Sequence, residues 1–238
     1  MAPVNVGSLV YNYQAIDVIG PTDLLNSSGA EIASILKQLI PIEDEVLERA
    51  PDFKFHHIGL TRDPVKLLTS NYEVIPTTTV DDCPELDILL IGGPDPLSFQ
   101  LAPKYAEFIR RHVASGKPTF STCTGAAVLA AAGVLDGKKA TINNIEYNWV
   151  SKQFPKVKWT KERKWIIDGN LWTASGAVAG MDMFAHWIKE NYGLAILTHG
   201  ALGLDFEPRD SDGLFTVLPK RYGKDGKQIA THHVPVYL

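Results

Sequence analysis

The chain predicts an α/β fold, a mostly parallel sheet with helices on both faces. Three observations carry that expectation. Segments of strand pattern alternate with segments of helical pattern through most of the 238 residues, as a succession of βαβ units requires. LDILLIGG, residues 86 to 93, is a continuous apolar run ending in two glycines, the pattern of a central strand buried on both faces. FSTCTGAAVLAAAG, residues 120 to 133, passes from an apolar run to a run of small helix formers with Cys123 at the junction.

Taken in order, VNVGSLV at 4 to 10 reads as a buried strand. A turn carrying Asp17 and the Gly20-Pro21 pair follows, with Pro21 in a first helical turn and Thr22 to Leu25 opening the helix. Residues 26 to 50 keep a helical spacing through Ile32, Ile35, Leu36, Leu39, Val46 and Leu47. FKFHHIGL at 53 to 60 is a second strand, and YEVIPTTTV at 72 to 80 is extended. PKYAEFIRRHVAS at 103 to 115 is an amphipathic helix stopped by Gly116. KPTFSTC is the next strand and TGAAVLAAAGVLDG the next helix, stopped by Gly137. WIIDGNLWTA at 165 to 174 holds an Asp-Gly turn between apolar runs, hence a hairpin. SGAVAGMDMFAHWIKENYG at 175 to 193 is a glycine-opened helix. No repeat or linker interrupts the pattern, so residues 1–238 read as one domain with an irregular tail from about 204.

Bulk properties exclude several function classes. The net charge is −4 and no Lys/Arg cluster is long enough to hold a phosphate backbone, so no nucleic-acid partner is expected. No apolar run reaches the roughly 20 residues of a membrane helix, and the N-terminus lacks the pattern of a secretory signal. The two cysteines, Cys83 and Cys123, build no disulfide framework, and no Cys/His spacing suits zinc. A reducing cytosol is the expected compartment. Of the aromatics Tyr11, Tyr13, Phe120, Trp149, Trp172 and Trp187, core filling is the commoner fate, with pocket lining as the alternative.

In an open α/β sheet, ligands bind beyond the carboxyl ends of the strands, where Cys123 is expected. A helix beginning at Thr124 would favour its thiolate over its thiol, and a sharp strand-to-helix turn would expose the sulfur as a nucleophile elbow does. The alternative is a buried cysteine acting as a small apolar residue. Cys83, before a proline in DDCPELD, has no helix behind it. A thiolate needs a proton partner. Asp17 in AIDVIGP is the candidate, with its pKa raised by the like charge of the sulfur. Capping or binding a turn is the alternative role for Asp17, and Asp23 suits the dipole of a first helical turn. Gly92 and Gly93 end the preceding strand, where their amides either meet developing negative charge or simply turn the chain.

The motifs AIDVIGP at 15 to 21, LDILLIGG at 86 to 93, STCTGAAVLAAAGVLDGKKAT at 121 to 141 and DGNLWTASGAVAGMDM at 168 to 183 resemble the ThiJ/PfpI superfamily of flavodoxin-like α/β proteins. The aspartate of D-x-x-G-P and the C-T-G after the elbow strand look most like its isocyanide hydratase branch. The resemblance implies that Cys123 is the nucleophile and Asp17 the acid/base. Thr124 would hydrogen-bond near the sulfur or substrate, while Gly92, Gly93, Gly125 and the amide after Cys123 would bind substrate or its developing charge. It implies hydration of an isocyanide to an N-substituted formamide, with no cofactor or metal, in a homodimer. Asp17 would protonate the carbon and later help activate the hydrolytic water. Asn143 stands where many relatives place a histidine, which argues against a Cys-His pair and the amidotransferase or peptidase chemistry that goes with it. The stretch from about 26 to 52 is longer than in the branch, and reads as a roof over the pocket or a dimer contact. His232 and His233 in the tail read as surface or interface residues. Two other functions use the same thiol: conversion of methylglyoxal to lactate, and a redox-sensing, stress-protective role.

Overall fold

The structure, a computed structural model, describes residues 2–213. The chain begins β1 (Val4–Leu9), α1 (Ile16–Ser27), α2 (Ala30–Leu36), α3 (Asp44–Arg49) and β2 (Phe53–Gly59). The short strands β3 (Val65–Lys66), β4 (Glu73–Val74) and β5 (Thr78–Thr79) precede β6 (Ile88–Ile91) and α4 (Pro103–Ala114). β7 (Thr119–Ser121), α5 (Gly125–Ala131), β8 (Lys139–Ala140), α6 (Tyr147–Gln153) and β9 (Lys158–Trp159) come next. The hairpin β10 (Trp165–Asp168) and β11 (Leu171–Ala174) leads into α7 (Ala177–Tyr192) and α8 (Leu194–Gly203).

Seven strands form one sheet in the order β10-β11-β7-β6-β1-β2-β5. β10 and β11 pair antiparallel, and the other pairs of this sheet are parallel. The five strands β2-β1-β6-β7-β11 have the flavodoxin order, in which the chain reverses direction between β1 and β6 and opens a crevice there. Helices flank the sheet, with α1, α7 and α8 packed on one another. Leu89, Leu90 and Ile91 of β6 are fully buried, as their unbroken apolar run requires. Tyr11, Tyr13, Phe120 and Trp187 are core residues, while Trp149 is exposed. Phe120 stacks on Phe184 of α7, with ring centroids 4.2 Å apart.

The structure departs from the expected elements at points with local causes. Asp17 lies in the first turn of α1, not in a preceding loop, and Pro21 sits inside the helix. Proline has no N–H to offer the carbonyl four residues back, here that of Asp17. Thr122 fills the gap: its hydroxyl donates to the Asp17 carbonyl at 2.9 Å. The helical pattern of 26 to 50 breaks into separate helices at Ser28-Gly29 and again before Pro41, where a proline disfavours helix in the residue before it. Pro76 likewise splits the extended segment into β4 and β5. α5 ends at Ala131 rather than near Gly137, because Gly133 takes a left-handed conformation at φ 79°.

Residues 26 to 52 do not roof the site. α1 leaves the carboxyl end of β1 and carries the chain back to its amino end. There Ala30 N–H donates to Pro51 O at 2.9 Å and Val4 N–H to Asp52 O at 2.8 Å. The segment is therefore pinned at the edge of the sheet opposite Cys123. Past α8, Arg209 N–H donates to Asp182 of α7 at 2.9 Å. Lys164 N–H donates to Ser211 O at 2.6 Å, so this part of the expected tail lies against α7 and the approach to β10. His232 and His233 lie outside the described residues.

The Pro21–Thr122 relationship predicts a double-mutant result. Thr122→Val leaves the buried Asp17 carbonyl without a donor and should destabilise the fold by about 1–3 kcal/mol. Pro21→Ala restores a helical N–H to that carbonyl and should recover part of the loss when the two are combined. Urea denaturation of both single variants and the double variant measures this coupling; strictly additive effects would show that the hydroxyl is not substituting for the missing amide.

Candidate active site

Between β7 and α5 the chain turns within three residues, and Cys123 takes the strain, at φ 54°. A non-glycine residue in this conformation is disfavoured by about 1–3 kcal/mol and persists only where its surroundings impose it. Those surroundings are specific. Thr122 N–H donates to Ile91 O at 3.1 Å, and Gly125 N–H to Thr122 O at 2.8 Å. A Cβ on Gly125 would stand 2.4 Å from the Ile91 carbonyl oxygen. Only glycine there lets α5 start directly against the end of β6. The sharp strand-to-helix turn expected at Cys123 is thus present, but the residue it was expected to expose is buried, packed in by the same close approach of α5 to β6.

Asp17 reaches the same point from α1. It is completely buried, 0% exposed. Its Oδ2 accepts the Gly93 amide at 2.8 Å, while Oδ1 is buried without a hydrogen-bond partner among the described residues. A Cβ on Gly93 would lie 2.7 Å from Asp17 Oδ2 and 2.4 Å from Thr124 Oγ1, so the absent side chain is the space in which acid and elbow meet. Burial raises the Asp17 pKa to about 7, against the opposing effect of the Gly93 amide. The expected cause was the like charge of a thiolate; removal from water accounts for it instead.

The thiol is 8% exposed, and its pKa is pushed up to about 11. Burial is the largest cause, and the negative charges of Asp17 and Glu146 add to it. Two donors oppose the rise: Asn143 Nδ2, 3.3 Å from Sγ, and the Thr124 amide. This overturns the expectation that the start of α5 holds a thiolate. That helix is only seven residues long, and desolvation with the neighbouring carboxylates raises the thiol. At neutral pH the resting group is a thiol beside an acid able both to hold and to release a proton.

Cys123, Asp17, Thr124 and Gly93 therefore converge as the sequence led one to expect, but several of the expected contacts differ. The Thr124 hydroxyl donates to Pro94 O at 2.6 Å and not to the sulfur, while its backbone amide, the one after Cys123 that the resemblance offered, acts on the sulfur. The Gly93 and Gly125 amides, expected to meet substrate charge, are already committed to Asp17 and to the Thr122 carbonyl. Gly92 meets its surroundings through its carbonyl, which accepts Tyr11 OH at 2.6 Å. The Gly93 and Gly125 amides build the site and are not free to bind a ligand. Sequence reading missed Asn143 as a partner of the sulfur, having registered it only as a missing histidine. Its Oδ1 accepts Ile145 N–H at 2.9 Å, which fixes the amide so that Nδ2 faces the thiol. Glu146 was missed altogether.

Cys83 stands apart, half-buried, with its thiol raised to about 11 by burial. A cavity of about 610 Å³ adjoins it, lined also by Phe108, Arg111 and His112. Among the described residues no group of three His, Cys, Asp or Glu side chains is placed to hold a metal ion. No described helix is long and apolar enough to cross a membrane.

Comparison with known proteins agrees with this geometry. The chain is 33% identical over 165 residues to the isonitrile hydratase of Pseudomonas putida, covering 69% of this chain and 71% of that one. It is 33% identical over 108 residues to the deglycase PfpI of Pyrococcus furiosus, covering 44% and 60% of the two chains. A solved ThiJ/PfpI family protein from Pseudomonas syringae shares the fold with a TM-score of 0.69 at 22% identity, over 88% of this chain and 78% of that one. Residues 8–190 match the profile of the DJ-1/PfpI family, and the chain belongs to that family.

Proposed function

We propose that the protein is a cofactor-independent hydratase that converts an isocyanide, R–NC, to an N-substituted formamide, with Cys123 as nucleophile and Asp17 as acid/base. The observation that carries this reading is the pairing of an elbow cysteine with a buried carboxyl titrating near neutrality. The similarity to an isonitrile hydratase supports the substrate class. The Cys123 sulfur bonds the terminal carbon of the isocyanide. Its proton passes to Asp17 Oδ1, the oxygen the Gly93 amide leaves free, and from there to that carbon. The net result is addition of S–H at carbon, giving the thioimidate R–N=CH–S–Cys123 and restoring Asp17. Water then adds to the same carbon, the C–S bond breaks, and R–NH–CHO leaves with the thiol regenerated. Asn143 Nδ2 and the Thr124 amide stabilise charge on sulfur as it forms and departs. Gly92, Gly93 and Gly125 shape the site. The same reading includes a homodimer in the cytosol, which the resemblance supports. The deglycase relative supports a second electrophile class, a carbonyl compound, attacked by the same thiol.

The test is turnover of an aryl isocyanide, followed as formamide release, with methylglyoxal in parallel. Cys123→Ala should abolish formamide release, and Cys123→Ser should come close to doing so. Asp17→Asn should lower kcat by about 10²–10⁴-fold. Full activity in Cys123→Ser would refute the covalent route, and lactate in place of formamide would move the assignment to the carbonyl reading.

The buried acid also makes a stability prediction. The unfolded chain releases the Asp17 proton near pH 3.8, whereas the folded chain keeps it to about pH 7. Folding therefore loses stability as pH rises through that window and levels off above it. Asp17→Asn escapes the loss and should gain on wild type by a few kcal/mol between about pH 4 and pH 8, as read by urea denaturation at a series of pH values. A constant difference would show that Asp17 titrates normally.

Asn143→Leu removes a donor that favours the thiolate. Its Cys123 alkylation by iodoacetamide should reach half-maximal rate at a higher pH than in wild type. An unchanged profile would show that the 3.3 Å contact does not act on the sulfur's charge.

A further inference from the structure

Glu146 is the unexplained carboxylate of the site. It follows Asn143, the residue bonded to the thiol, by one short turn that Asn143 itself closes through Ile145 N–H. Its charge acts on the Cys123 sulfur. Oε2 is buried without a hydrogen-bond partner among the described residues, although the side chain as a whole is only half-buried. Helix capping does not account for it. Glu146 is the N-cap of α6, yet no side-chain cap bond forms. It joins none of the salt bridges among the described residues. A buried carboxylate oxygen that binds nothing is costly, and one beside a thiol is best satisfied by a donor that arrives with the reaction.

The geometry points to Glu146 as the general base for the second half of the reaction, holding the water that attacks the carbon bonded to Cys123. This rests on the reading of Cys123 as a nucleophile, not on the identity of the electrophile. Asp17 is poorly suited to that step. It is fully buried and one of its oxygens is engaged by the Gly93 amide. Glu146 is only half-buried and follows Ile145, which is 86% exposed, so the segment that carries it lies nearer solvent than Asp17 does.

The step balances. As the water oxygen bonds the thioimidate carbon, Glu146 takes one of its protons and returns it to the nitrogen, so that H and OH have added across C=N. In the collapse of R–NH–CH(OH)–S–Cys123 the C–S bond breaks, its electron pair stays on sulfur, and the hydroxyl proton passes to sulfur through Asp17. The two carboxylates divide the work: Asp17 serves the formation of the C–S bond and its departure, Glu146 the water.

p-Nitrophenyl acetate separates these halves without any isocyanide. The thiol displaces p-nitrophenolate to give an acetyl thioester, and water must then remove the acetyl group. A burst of nitrophenolate reads acylation, and the steady state with intact-protein mass spectrometry reads deacylation. Glu146→Gln should acylate at least as fast as wild type, because a like charge beside the sulfur is gone. Its deacylation should slow about 10²-fold or more, so that the acetylated protein accumulates. Glu146→Asp should recover part of the rate, and both variants should keep the wild-type Tm. Deacylation unchanged in Glu146→Gln would overturn the proposal, and so would failure of the wild-type thiol to be acylated. If deacylation slows as expected while aryl isocyanides are not turned over, the isocyanide reading fails and the role of Glu146 stands.

Discussion

The thiol site depends on one close approach at the carboxyl end of β6. Asp17 from α1 and Thr124 from the elbow both enter the volume that a side chain at position 93 would fill. Any larger residue would push the acid away from the elbow or the elbow away from the sheet. This crossing lies beside the reversal of strand order between β1 and β6, the place where an open α/β sheet leaves its crevice. The fold supplies the crevice; two glycines, Gly93 and Gly125, let three segments of chain close around it.

That crowding has an electrostatic consequence. Asp17 and Cys123 share a space from which water is largely excluded, so both favour their neutral forms. A site of this kind does not store a thiolate. Of the amides that sequence reading offered to developing charge, those of Gly93 and Gly125 are spent on holding this arrangement, while the one after Cys123 acts on the sulfur. The donors left to act on sulfur are the Asn143 side chain and the Thr124 amide.

The backbone polar groups of the site are similarly interlocked. Pro21 denies the Asp17 carbonyl its helical partner, and the Thr122 hydroxyl replaces it. The residue carrying the acid is thereby tied to the residue preceding the thiol. Side-chain acid and backbone carbonyl of Asp17 are held by different strands' ends, β6 through Gly93 and β7 through Thr122. Position and orientation of the acid therefore follow from the spacing of two neighbouring strands, a distance the sheet itself fixes.

The sequence by itself determined the class of the fold, because alternation, the buried run of β6 and the glycine stops are local patterns with local causes. It also determined Cys123 and Asp17 as the pair to watch, since the elbow and the D-x-x-G-P motif are contiguous in the chain. It misjudged the break-up of 26 to 50 and the roof it offered as one place for that segment, because where a connection lies depends on where the preceding helix delivers it. The partners of the sulfur, the commitments of the glycine amides and the carboxylate of Glu146 were decided by tertiary structure alone. Asn143 lies some twenty residues from Cys123 in the chain, and nothing in its immediate neighbours marks it. A hydrogen bond between distant segments exists only once packing has brought them together, and a pKa is set by how completely that packing removes the water.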